Sequence, residues 1–64
     1  MIINGEVMDI KEGTTVSELL KVLNLDCQKI VVEVDLEILN KDELAARKLT
    51  SESKVEIIRF VGGG

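Results

Sequence analysis

One stretch, TTVSELLKVLNL, carries apolar residues at helical spacing, and it narrows the folds open to the rest of the chain. Val16, Leu19, Leu20 and Leu23 fall at i, i+3, i+4 and i+7, which lines up one face of a helix. Thr15 followed by Glu18 predicts a capping box, in which each side chain satisfies a backbone donor left free by the first turn. Asn24 is a suitable stop, so the helix is expected over residues 15–24. The remaining apolar runs are short or alternate with the period of strands. One main helix cannot cover both faces of a sheet, so the expected class is α+β, a single sheet folded around that helix.

The strands can be placed by their own period. MIINGEVMDI is two short apolar stretches joined by Asn4-Gly5, the pair that best tolerates the positive φ of a two-residue hairpin. Met1 and Ile3 should share a face, as should Met8 and Ile10, and Lys11, Glu12 and Gly13 form the next turn. CQKIVVEVDLEIL reads as strand, with Ile30, Val32 and Val34 inward and Val31, Glu33 and Asp35 outward. A bend near residues 35–37 should lead to a short strand piece at Ile38 and Leu39. NKDELAARKL is helix-prone but brief, capped by Asn40 and anchored by Leu44 and Leu49. TSES is a turn, and KVEIIRFV is the last strand.

Size and charge exclude several functions. With 64 residues the chain is one domain at most, and a chain this short hides only about 60% of its unfolded surface. The 45% apolar content argues against disorder. A net charge of −4, with Lys and Arg scattered among twelve acids, argues against a nucleic-acid binder. A single aromatic cannot build the stacking platforms that single strands require. Such an acidic surface is better suited to docking on basic protein surfaces. No histidine is present, one thiol is, and the chain hardly suffices to wall off a pocket, so it is not expected to be an enzyme by itself. The lone Cys27 excludes an internal disulfide, and no zinc spacing occurs. Without a leader-like segment or a long apolar run, a cytoplasmic protein with no membrane partner is expected.

The sequence ends in RFVGGG. Glycine loses the most conformational freedom on ordering, so three in succession make poor anchors. Residues 62–64 are therefore either a frayed end or a flexible tail whose reactive part is its backbone carboxylate. Extended, three residues reach at most about 10 Å, enough to pass a carboxylate down a narrow slot that side chains would obstruct. The preceding strand is apolar on both sides. If Val55 and Ile57 are core, Ile58 and Phe60 lie on the opposite face, where they form a docking patch unless the short helix or the first hairpin covers them. Cys27 is expected to be a spectator at a loop or core edge, with only Lys29 nearby to lower its pKa. Glu33, Asp35, Glu37, Asp42 and Glu43 are dispersed over several elements and read as a solvated acidic face rather than a metal site.

NG after an opening strand, TTVSELL at the helix start, VVEVDLEIL, and above all VEIIRFVGGG at the end resemble the ThiS family, the sulfur carriers of thiamine biosynthesis. The resemblance covers essentially the whole chain. It implies the β-grasp fold shared with ubiquitin, a mixed sheet of four to five strands around one helix. It divides the chain into a domain of residues 1–61 and a glycine tail of residues 62–64. It also implies a carrier whose C-terminal carboxylate, on Gly64, is adenylated and then converted to a thiocarboxylate. An adenylating enzyme of the ThiF type would bind the ATP, a cysteine desulfurase would supply sulfur, and a thiazole synthase of the ThiG type would receive it. No cofactor would be bound by this chain. Gly63 and Gly64 match the family's glycine pair, Gly62 is the extra glycine many members carry, and Ile58 and Phe60 fall where members place apolar residues near the tail. The family often has Asn where this chain has Asp35 and a Gly-Asp turn where it has Glu52-Ser53. Two alternatives stay open: another β-grasp carrier, such as the small subunit of molybdopterin synthase (MoaD) or a ubiquitin-related modifier, or a ubiquitin-like module whose tail is never activated.

Overall fold

A computed structural model describes residues 1–59. Phe60 to Gly64 lie outside the described residues, as does the expected boundary between a domain ending at residue 61 and a glycine tail. The first hairpin forms as expected. Strands β1 (Ile2–Ile3) and β2 (Glu6–Val7) pair antiparallel, Ile2 with Val7 and Ile3 with Glu6. Asn4 and Gly5 take φ of 50° and 82° between them, the positive-φ pair whose twist matches that of the flanking strands.

Helix α1 (Val16–Val22) starts at Thr15, whose capping box with Glu18 is complete. Its end shows why Asn24 is the stop. Asn24 turns left-handed at φ 58°, its N–H donates to the Lys21 carbonyl at 3.1 Å, and the Leu25 N–H donates to the Leu20 carbonyl at 2.9 Å. These two bonds form a Schellman motif, which occupies carbonyls the helix end leaves free. The next stretch differs from expectation. Cys27–Lys29 is a single 3-10 turn rather than strand, because the Asp26 carboxylate caps the Gln28 N–H at 2.9 Å and offers the backbone a local alternative to pairing.

Strand β3 (Ile30–Val34) then runs with Ile30, Val32 and Val34 buried and Val31 and Glu33 half-buried. It turns back through Asp35 and Leu36, at φ 50° and 71°, into β4 (Glu37–Leu39). Helix α2 (Lys41–Leu44) is one short turn with its own capping box between Asn40 and Glu43. Leu49 lies beyond this helix, on an extended stretch held to the entry of α1. The Leu49 N–H donates to the Thr14 carbonyl and its carbonyl accepts from the Gly13 N–H, each at 2.8 Å. The Thr50–Ser53 turn is closed by the Thr50 N–H donating to Ser53 Oγ at 2.9 Å, which accounts for the burial of that serine. Strand β5 (Lys54–Arg59) follows.

The strands form one mixed sheet in the order β2-β1-β5-β3-β4. The last strand lies at the centre, parallel to β1 and antiparallel to β3. Val16, Leu19 and Leu20 of α1 meet Val32, Val34 and Val55 of the sheet in a single core cluster that Leu44 and Leu49 complete. Each such side chain contributes about 1.5–3 kcal/mol on burial, and the aliphatic set packs without an aromatic residue among the described positions. Among the described residues, no helix is long and apolar enough to cross a membrane.

Candidate partner-docking face

The register of β5 against its neighbours divides the two faces of the sheet. Val55 pairs with Val34, and Ile57 with Val32; these residues face α1, with Val55 fully buried and Ile57 half-buried. The alternate residues Lys54, Glu56 and Ile58 therefore point away from the helix. On that outer face Ile58 lies opposite Val31, Glu56 lies opposite Glu33, and Glu33 also lies opposite Ile38. Ile2 and Val7 continue the same face across the hairpin, next to Lys54.

Ile58 is 53% exposed and Ile38 67% exposed, so neither α2 nor the first hairpin covers them. Exposed aliphatic side chains from four strands, Ile2, Val7, Ile38 and Ile58, thus share one side of the sheet, a concentration of the kind found at interaction surfaces. The strand is apolar on both sides because each side faces something different: one the core, the other open surface. Phe60, the second expected docking residue, and Gly62, Gly63 and Gly64, the expected tail, lie outside the described residues. Arg59 is the last described residue. With Asn24, Leu25, Asp26, Lys29 and Ile30 it lines a cavity of ≈ 350 Å³ beside the end of β5.

The acidic positions separate into individual roles. The Glu37 carboxylate pairs with the Arg47 guanidinium at 2.9 Å, and Glu43 caps α2. Asp35 Oδ1 accepts from the Lys54 N–H at 3.0 Å while the Asp35 N–H donates to the Lys54 carbonyl at 2.8 Å, fixing the β3–β4 turn to the start of β5. Among the described residues no cluster of three potential metal ligands forms. Cys27 is exposed on its 3-10 turn, the loop rather than the core-edge placement of the two expected.

The pattern of the ThiS family matches residues 1–64, the whole chain. The chain belongs to the ThiS family. Its mixed sheet wrapped on one helix is the β-grasp fold. A crystal structure of the thiamine biosynthesis protein ThiS from Geobacter metallireducens superposes with a TM-score of 0.80 at 30% identity, covering 98% of this chain and 96% of that one. The sulfur carrier protein ThiS of Bacillus subtilis is 33% identical over 63 residues, 97% of this ThiS-family chain and 96% of that protein. Two thiazole synthases also match. That of Paramagnetospirillum magneticum is 39% identical over 64 residues, and that of Magnetococcus marinus 31% over 62. The match takes in 100% and 97% of this chain but spans only 20% and 19% of those proteins. A ThiS-like unit is therefore one segment of each of these longer synthases.

Proposed function

We propose that this chain is a sulfur carrier for thiazole formation in thiamine biosynthesis, working in the cytoplasm as a co-substrate of partner enzymes rather than as an enzyme. The observation that carries this reading is the near end-to-end correspondence with the Bacillus subtilis sulfur carrier, joined to the match of the ThiS family over residues 1–64.

In this reading the working group is the Gly64 carboxylate. A free carboxylate is a poor acceptor for a sulfur nucleophile. Attack of one of its oxygens on the α-phosphorus of ATP releases pyrophosphate and leaves an acyl adenylate, with AMP as the new leaving group. A persulfide from a cysteine desulfurase attacks the acyl carbon and expels AMP. Reduction of the resulting acyl disulfide by a thiol frees the thiocarboxylate, whose sulfur the thiazole synthase takes up. The ThiF-type partner binds the ATP and its metal, since this sequence offers neither a phosphate-cradling loop nor a basic cluster. Gly62 and Gly63 serve as a side-chain-free leash, while Ile58 and Phe60 give partners their grip.

Incubation with ATP, a ThiF-type enzyme and a persulfide source, followed by intact mass measurement, tests the proposal. The expected product has one oxygen exchanged for sulfur. Deletion of Gly64 should abolish the exchange and leave the melting temperature unchanged. A parent chain that forms neither adenylate nor thiocarboxylate would falsify the carrier function.

A further inference from the structure

Asn4 has the most reactive local sequence of the asparagines in this chain. An asparagine loses its amide when the backbone nitrogen of the following residue attacks Cγ, and a side chain on that residue obstructs the approach. Asn24 precedes Leu25 and Asn40 precedes Lys41, whereas Asn4 precedes Gly5. Asn4 and Gly5 are both exposed, so water and base reach the turn freely.

The fold nevertheless holds the two reacting groups apart. In the order β2-β1-β5-β3-β4, strands β2 and β5 lie on opposite sides of β1. The Asn4 side chain reaches toward β5, where its Oδ1 accepts the Ile57 N–H at 2.7 Å. The Asn4 N–H also donates to β5, at the Val55 carbonyl 2.9 Å away. Gly5, at φ 82°, carries the chain the other way, into β2. Ring closure needs the amide carbon beside the Gly5 nitrogen, so the side chain must first leave Ile57 and strand that N–H. A donor on Oδ1 also polarises the amide toward attack, but this helps only a nucleophile that reaches Cγ while the bond is still made.

We propose that Asn4 is a site of spontaneous covalent modification latched by β5, its amide being lost only from an opened state in which the bond to Ile57 is broken. In that state the Gly5 nitrogen gives its proton to base and bonds to Asn4 Cγ, the Cγ–Nδ2 bond breaks, and ammonia departs. One water then opens the cyclic imide at either carbonyl. Cleavage of the new bond gives an α-aspartyl residue, which keeps an acceptor for Ile57. Cleavage of the original peptide bond leaves a β-aspartyl linkage, which adds a methylene to the main chain and shortens the side chain. A two-residue turn has no slack for that methylene, so the β-aspartyl form loses both the turn and the bond to Ile57. A transient opening of the first hairpin is thereby converted into a lasting loosening of the central strand. This inference is independent of the sulfur-carrier reading.

The test compares amide loss in the parent chain folded in mildly alkaline buffer and unfolded in urea, with the sites mapped by tandem mass spectrometry. Methyl transfer from S-adenosylmethionine by an isoaspartyl methyltransferase measures the β-aspartyl product, and hydrogen exchange of the Ile57 N–H is followed in the folded sample. Asn4 should be the first asparagine converted in urea. In the folded chain its conversion should be about tenfold or more slower, the population of an open state about 1.4 kcal/mol or more above the native one. The slowing should match the opening measured by Ile57 exchange, and the β-aspartyl form should melt below the α-aspartyl form. Equal rates in the folded and unfolded chain overturn the inference. Faster conversion in the folded chain also overturns it, since the Ile57 N–H would then activate the amide rather than latch it. So does a folded rate above the one that Ile57 exchange allows, or earlier conversion of Asn24 or Asn40 in urea. Equal melting of the two aspartyl forms overturns the proposed loosening of the central strand.

Discussion

The side-chain carbonyl of Asn4 accepts a 2.7 Å hydrogen bond from the backbone N–H of Ile57, 53 residues further along the chain. Strand β1 is only two residues long, and its ladder with β5 ends where the Asn4 N–H donates to the Val55 carbonyl at 2.9 Å. Asn4 then turns left-handed, and its side chain takes over the position the next backbone acceptor would have filled. One residue thus makes the hairpin turn and extends the parallel ladder that seats the central strand.

Substitutions at Asn4 should separate those two roles. Asn4→Asp keeps both the acceptor and the tolerance of positive φ, and should stay close to the parent in stability. Asn4→Gly keeps the turn but strands the Ile57 N–H, at a cost of about 1 kcal/mol. Asn4→Ala loses the acceptor and adds left-handed strain, for a total of about 2 kcal/mol. Urea midpoints ranked Asp, Gly, Ala would bear this out; equal midpoints for Gly and Asp would show that the bond contributes nothing.

The α1 cap gives stability a dependence on acid. Glu18 Oε1 accepts from the Thr15 N–H at 2.9 Å, and the Glu18 N–H donates to Thr15 Oγ1 at 3.2 Å. Accepting the Thr15 N–H holds the Glu18 carboxyl below its ordinary range, and the bond to the Thr15 hydroxyl adds to this, with Lys21 and Lys11 contributing more weakly. A depressed folded value means that the contribution is complete above the unfolded value near pH 4.3. It is lost as pH falls through the lower folded value. Melting temperatures taken between pH 7 and pH 2 should therefore fall less steeply at the acid end for Glu18→Gln than for the parent. Parallel curves would remove Glu18 as a source of the acid sensitivity.

What the sequence made readable was whatever a short local pattern encodes. Asn4-Gly5, the Thr15–Glu18 box, Asn24 and the alternation of residues 30–34 each carry their geometry in neighbouring residues. The bend between β3 and β4 was readable near residues 35–37, but its left-handed geometry was not, because Leu36 at φ 71° is a residue that rarely turns left-handed. That conformation is enforced by the paired bonds of Asp35 to Lys54, from a strand nineteen positions away. Leu49 was readable as an anchor but not as part of an extended stretch, since its partners Gly13 and Thr14 are remote in sequence. The facing of Glu33 and Glu56 was hidden for the same reason: each is unremarkable in its own strand, and only the register brings them together. On the outer face of the sheet, alternation in β5 was enough to set Ile58 apart from Ile57.

Ile58 offers the cleanest separation of packing from recognition. It is 53% exposed on the outer face, so Ile58→Ala should change unfolding free energy by no more than about 0.5 kcal/mol. If the face serves partners, the same truncation should weaken binding to the ThiF-type enzyme or the thiazole synthase by about tenfold, the scale of a single significant anchor. Ile57→Ala is the internal contrast. Its side chain is turned to the core cluster, so it should cost stability first and affinity only as folding is lost. Phe60→Ala, measured alongside, is expected to follow Ile58→Ala. A stable Ile58→Ala chain that binds both enzymes like the parent would remove Ile58 from the docking surface, and a destabilised one would mean that its exposed face is covered within the chain itself.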